Sequence, residues 1–180
     1  VILDFDDLKA ILNLAESSES EYPALEYLMD ATESAVKIYC SCEFEYQATY
    51  SETIQVTGSR RIIDLTLLPI SSVSSVTVDG EAISSSDYRI NSSWGIKLSS
   101  QVTDADVVVT YSGGHQRQSI PKALRKALNM QVAYEFQSID QIGATSVRTE
   151  GGTVERPALQ LLPEVRRLLQ PFRHPMRSRW

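Results

Sequence analysis

The stretch Leu68-Pro69-Ile70-Ser71-Ser72-Val73-Ser74-Ser75-Val76-Thr77-Val78-Asp79-Gly80 decides the fold. Pro69 stops the apolar run before it, and Val73, Val76 and Val78 lead into Asp79-Gly80. An Asp-Gly pair tolerates the positive φ that a two-residue hairpin turn demands, so a hairpin is expected here. Downstream, Tyr88-Arg89-Ile90 and Trp94-Gly95-Ile96-Lys97-Leu98 flank Asn91-Ser92-Ser93, a second hairpin pattern. Val107-Val108-Val109-Thr110-Tyr111 is a β-branched run closed by Gly113-Gly114. Upstream, Thr53-Ile54-Gln55-Val56-Thr57 alternates and Gly58 reads as a turn, followed by the run Ile62, Ile63, Leu65, Leu67 and Leu68. The links are too short for crossovers, so residues 45–112 read as an antiparallel sheet.

Helical patterns flank the sheet. Asp4 is placed to cap a first helix, with Asp6 and Asp7 in its first turn and Leu8, Ile11, Leu12 and Ala15 at helical spacing. Pro23 suits the first turn of a second helix, whose stripe is Leu25, Leu28, Thr32, Val36 and Tyr39. After the sheet, Ser119 as cap and Pro121 in the first turn open a third helix with Leu124, Ala127, Leu128, Gln131, Val132 and Phe136 on one side. These patterns predict helices over 4–16, 23–41 and 120–137. The fold class is therefore α+β: a small helical bundle, two helices before the sheet and one after, with an inserted antiparallel sheet. Residues 1–137 read as one domain. Residues 138–156, with Gly143, Gly151 and Gly152, read as a mobile loop or a weak hairpin. Residues 157–180 read as a basic arm with a short helix from Pro163 to Leu169, extended from Phe172 onward because Pro171 and Pro175 cannot continue a helix. No internal repeat is present.

At 180 residues, with 42% hydrophobic and 22% charged, the chain has ordinary globular composition and needs neither disulfide nor metal to build a core. No apolar run approaches the ~18 residues of a membrane span, and no export signal is expected from the N-terminal sequence. Cys40 and Cys42 are two residues apart and point away from each other in a helix or a strand, so free thiols are expected. Charge is unevenly spread. Residues 1–52 carry twelve acids against Lys9 and Lys37, a net of −10, whereas 156–180 carry six arginines against Glu164, a net of +5. Such asymmetry suits an interaction tail or complementary faces on successive copies, and equally a solvated acidic face and basic end.

The search for catalytic chemistry comes out thin. His115 and His174 are the only histidines, 59 residues apart, and no motif pairs either with a Ser or Cys nucleophile. Two cysteines and two histidines at these spacings do not match a zinc site. Gly113-Gly114 and Gly151-Gly152 lack the Lys-Ser/Thr ending of a phosphate loop, and the first pair reads as a turn from the last strand into the third helix. Asp64, Asp79, Asp87, Asp104 and Asp106 are scattered over turns and strands. No catalytic residue, metal ligand or cofactor is assigned, and the chain is not expected to be an enzyme. The arm is the candidate binding element: Arg166, Arg167 and Arg173 for an acidic surface, Phe172 and Trp180 as aromatic anchors. The alternatives are DNA phosphates, against which the acidic total of −6 argues, or a solvated tail.

The order two helices, β insert, third helix and arm resembles the head–tail connector (adaptor) proteins of tailed bacteriophages. The residues that carry the resemblance are Ala31-Thr32-Glu33-Ser34-Ala35-Val36-Lys37-Ile38-Tyr39 with Phe44, the Leu68–Gly80 run, Asp87-Tyr88-Arg89-Ile90, Gly95-Ile96-Lys97-Leu98, Val107–Gly114, and Pro121 with Leu124–Ala127. The resemblance covers about residues 5–137. It implies a structural virion protein in a ring, typically of twelve copies, below the portal, which lengthens the DNA channel and joins the head to the next neck protein or the tail. It implies as partners other copies of the chain, the portal protein, a downstream neck or tail protein, and genomic DNA passing without sequence-specific binding, and no membrane. It places the chain in the neck of the virion, and in the host cytoplasm during assembly. Another neck or tail-completion component, or a DNA-binding module using the arm, are the alternatives. Portal docking is expected of Arg166, Arg167, Phe172, Arg173 and Trp180, and the fold is expected to survive loss of residues 171–180.

Overall fold

The computed structural model describes residues 2–14, 23–92, 94–138, 146–149, 152–155 and 161–174. Its chain divides into two units: Val1–Tyr39 with Pro121–Phe172, and Cys40–Ile120 with Arg173–Trp180. Among the described residues the fold is α+β, four helices and an antiparallel five-stranded sheet, with the sheet unit inserted in chain order between the second and third helices.

In the first unit, α1 (Phe5–Leu12) opens where Asp4 Oδ1 accepts the Asp6 N–H at 2.9 Å. It stops well short of residue 16, because Asn13 takes the left-handed conformation (φ 55°) and returns its N–H to the Lys9 carbonyl. Helix α2 (Pro23–Cys40) begins at its proline and ends at Ser41, again at positive φ. Helix α3 (Lys122–Gln137) has Pro121 as its N-cap residue. Ser119 is not the cap, since its hydroxyl donates to the Gln116 carbonyl within the turn before the helix. Helix α4 (Pro163–Leu169) starts at Pro163, and α3 packs against both α1 and α4.

The buried residues of this unit follow the helical spacing: Leu8 on α1, Leu25, Thr32 and Val36 on α2, Leu124, Ala127, Leu128 and Val132 on α3, Val165 and Leu169 on α4. Ile11 is the exception. It shares the spacing of Leu8 but is 53% exposed. Two polar side chains serve backbone groups inside the unit. Glu33 Oε1 accepts the N–H groups of Ile2 at 2.5 Å and Leu3 at 2.7 Å, tying the N-terminal strand of chain to α2. Gln131 Oε1 accepts the Leu162 N–H at 2.9 Å, just ahead of α4, which has no side-chain cap of its own. Ser146–Thr149 and Gly152–Glu155 pair as the antiparallel hairpin β6–β7, the second of the two readings of the glycine-containing stretch.

In the second unit the strands are β1 (Gln47–Asp64), β2 (Ile70–Val78), β3 (Glu81–Ala82), β4 (Tyr88–Ser92) and β5 (Gly95–Gly113). The sheet order is β1-β5-β2-β3, with β4 also pairing to β5. Asp79 (φ 50°) and Gly80 (φ 84°) form the β2–β3 turn as expected, and β4–β5 is the second expected hairpin. Gly58 is not a turn. It is a bulge (φ 69°) inside one continuous strand, its N–H held by Asp104 Oδ1 at 2.7 Å. A second irregularity puts three extra residues on β5 between the pairs Arg60↔Val102 and Ile62↔Lys97. Arg61 reaches across it, donating from Nε to the Leu98 carbonyl (2.9 Å) and from Nη2 to that of Ser99 (2.6 Å). These bends let the sheet curl around its own apolar face. Ile63, Ile96 and Leu98 from one end share a single buried cluster with Val107, Val109 and Tyr111 from the other.

Candidate functional site

Among the described residues, several acids of the first 52 positions have separate structural tasks. Asp4 caps α1, Asp7 pairs with Arg125 at 3.4 Å, Glu33 is buried, and Glu52 bonds inside the sheet unit. Asp6 pairs with Lys9 at 3.6 Å and is otherwise in solvent. Glu26 and Asp30 stand exposed on α2, while Glu16, Glu19 and Glu21 lie outside the described residues.

The arm residues are distributed differently from the sequence reading. Arg166 and Arg167 are neighbours on α4, where the burial of Val165 and Leu169 fixes the helix face. Arg166 is half-buried. Arg167 is exposed and grips Glu164 through Nη2 (2.6 Å) and Nε (3.0 Å), a contact that holds the Glu164 carboxyl below its ordinary range. Phe172, half-buried, closes the single turn Gln170–Phe172. Arg173 is half-buried and belongs to the other unit. Trp180 lies outside the described residues. The chain is not yet extended from the body where its proline pattern suggests. His174 is 1% exposed, its N–H donates to the Cys40 carbonyl at 2.8 Å, and its ring meets Trp94 edge-on at 6.1 Å. Extension from Phe172 is therefore corrected through His174: a buried ring and a satisfied backbone donor hold the chain there.

Several other polar groups serve the fold. Asp79 exchanges two bonds of 2.9 Å with the backbone of Asp106, one from its own N–H and one to its Oδ1. Tyr111, fully buried, donates to Glu52 Oε1 at 2.7 Å and accepts the Leu67 N–H at 2.9 Å. Burial, and then Glu52, raise its pKa. The Thr66 N–H and hydroxyl both go to Glu52, at 2.8 and 2.7 Å. Cys40 and Cys42 are free and buried, and Cys40 beside it pushes the Cys42 thiol up. Burial pushes His115 down. Among the described residues no three His, Cys, Asp or Glu side chains converge as metal ligands, and no helix is long and apolar enough to cross a membrane. Tyr27 and Ile38 are large apolar side chains left 73% and 79% exposed on α2. Both lie off the apolar stripe that helical spacing marks in the sequence, since that spacing marks only the side a helix buries.

A family model described as head completion protein matches residues 1–175. The chain belongs to the head completion protein family. Comparison with curated protein sequences finds no match. Head completion protein is a structural assignment, and the expected kinship with the phage neck holds at that level. The fold is similar to that of a chain in the neck of an empty gene transfer agent particle, computed with C6 symmetry. The TM-score is 0.65 at 14% identity, over 96% of this chain and 89% of that one. A chain in the virion of the native gene transfer agent particle gives 0.61, also at 14% identity and with the same coverage. One in the native neck computed with C12 symmetry gives 0.50 at 13% identity, over 81% of each chain. This head completion protein thus has the fold of neck proteins in phage-like particles.

Proposed function

We propose that this head completion protein forms a ring, of twelve copies, below the portal, and that the ring extends the DNA channel and presents a surface to the next neck protein or the tail. It catalyses no reaction. The observation that carries the reading is the similarity of 96% and 81% of the chain to folds in gene transfer agent necks computed with C6 and C12 symmetry. Residues 1–137 act as the body of the connector and 157–180 as the docking arm, with Arg166, Arg167, Phe172, Arg173 and Trp180 toward the portal. A ring needs one face of each copy to meet a different face of its neighbour, which a chain with unlike surfaces supplies. A channel for DNA must repel phosphate enough to let the duplex slide, and part of the acidity of residues 1–52, or the loops of the sheet, suits a lining of that kind.

The test is electron microscopy of lysates from a phage producer with this gene disrupted. Packaged or leaking heads beside separate finished tails are expected. Complete, infectious virions would overturn the reading. Duplex binding by the purified chain that falls steeply with salt would instead favour a DNA-binding arm.

A further inference from the structure

We infer that copies of this chain join head to tail by seating the exposed stripe of α2 of one copy in a groove between α1 and α3 of the next. The inference rests on the ring reading and supplies its contact. On α2, Ala24, Tyr27, Ala31, Ser34 and Ile38 are all exposed. They follow the alternating three–four spacing by which one helix presents a seam to another. The buried residues Leu25, Met29, Thr32 and Val36 occupy the opposite side, so this second stripe is not needed for the unit's own core.

The groove has a volume of about 430 Å³. Ile11, Met130, Ala133 and Tyr134 make it apolar, and Lys126 and Gln137 mark its two ends along α3. It explains why Ile11 is half in solvent despite its core spacing. Asn129 also lines it. That side chain is only 7% exposed, yet its Oδ1 has no hydrogen-bond partner. A buried amide oxygen without a donor is costly, and an apolar groove holding one is incomplete by itself.

The two surfaces fit each other. Tyr27 brings a flat apolar ring and a hydroxyl donor for Asn129. Tyr27 to Ile38 and Lys126 to Gln137 each span eleven residue steps, hence equal lengths of helix. Glu26 and Asp30 flank Tyr27, and Lys122 and Lys126 are exposed at the matching end of α3. The charges therefore set the direction, α2 running parallel to the neighbour's α3, with Ile38 toward Gln137. Each copy carries one stripe and one groove, so the contact repeats around a ring and needs no second protein.

The test uses the full chain with Ala31→Cys and Ala133→Cys together, treated with a short bismaleimide. Cys40 and Cys42 are buried, and the parent chain controls for them. The double variant should give a ladder of covalent multimers, each single variant none, and an equimolar mixture of the two single variants dimers only. Tyr27→Ala, at an exposed position, should remove the ladder. Lys126→Glu should weaken crosslinking about tenfold, and Asp30→Lys in the same chain should restore it. Multimers by solution mass without a ladder would overturn this contact and leave the ring standing. A crosslinked dimer from either single variant would overturn it too, by showing like faces meeting. No ladder and no multimer at any concentration, with no ring in the particle neck, would overturn both.

Discussion

Tyr111 and Glu52 are 59 residues apart in the chain and share a hydrogen bond of 2.7 Å across neighbouring strands of the sheet. The bond ties the segment around Thr66 and Leu67 to the β1–β5 ladder, because Tyr111 also accepts from Leu67 and Glu52 from Thr66. Removing the hydroxyl strands a buried N–H. Tyr111→Phe should therefore destabilise the protein by about 1–3 kcal/mol in urea unfolding. Glu52→Gln keeps one oxygen for the Tyr111 hydroxyl and the Thr66 N–H, which share Oε1, and should lose less than Glu52→Ala. An unchanged urea midpoint for Tyr111→Phe would show that the network contributes nothing.

The same tyrosine makes stability fall in alkali. Its pKa is raised by burial and by Glu52, so the folded state keeps a proton that the unfolded chain releases from about pH 10 upward. The folded state then binds more protons, and stability declines as pH rises beyond that value. Cys42, also raised, contributes a decline of the same sign from about pH 8.5. His115 acts in the other direction. It is lowered by burial, so its contribution is present above about pH 6.5 and is lost on acidification. Unfolding midpoints measured across pH should show Tyr111→Phe flattening the high limb and His115→Gln the low one.

Gly114 turns the chain out of β5 at φ 84°, and a Cβ there would lie 2.5 Å from the Glu45 carbonyl oxygen. Both the conformation and the space exclude a side chain. Gly114→Ala should cost about 1–3 kcal/mol from the backbone conformation alone, whereas Gly80→Ala, with nothing within 4 Å, carries only the positive-φ term. Thermal unfolding of the two variants side by side separates strain from collision. Equal losses would mean that the close approach to Glu45 relaxes freely.

The hairpin at Asp79-Gly80 and the start of α2 at Pro23 were legible because a single residue's backbone preference decides each. Gly58 misled for a related reason. A positive-φ glycine suits a turn and a bulge equally, and only the partner strand with Asp104 opposite distinguishes them. The long strands β1 and β5 were invisible as single elements, since their irregularities interrupt the period-two pattern and Arg61 repairs them through a contact 37 residues away. For the candidate surfaces, the sequence exposed the charge asymmetry but not its use. Glu33 and Glu52 look like their solvated neighbours until the backbone groups they serve are brought to them.

The position of His174 decides how the proposed docking arm should be tested. A cut before Pro171 removes a buried ring and strands the Cys40 carbonyl, so loss of residues 171–180 should destabilise the protein by about 1–3 kcal/mol. The sequence reading expected that deletion to be harmless. A cut after His174 keeps both contacts and still removes Arg177, Arg179 and Trp180. Loss of 175–180 should leave the urea midpoint unchanged and reduce co-purification with the portal protein. Adding Arg167→Ala should reduce portal binding further with no change in folding, because the Arg167–Glu164 pair is exposed. If the 175–180 deletion binds portal as the parent does, the docking role passes to another surface. If it also unfolds early, the end of the chain belongs to the fold.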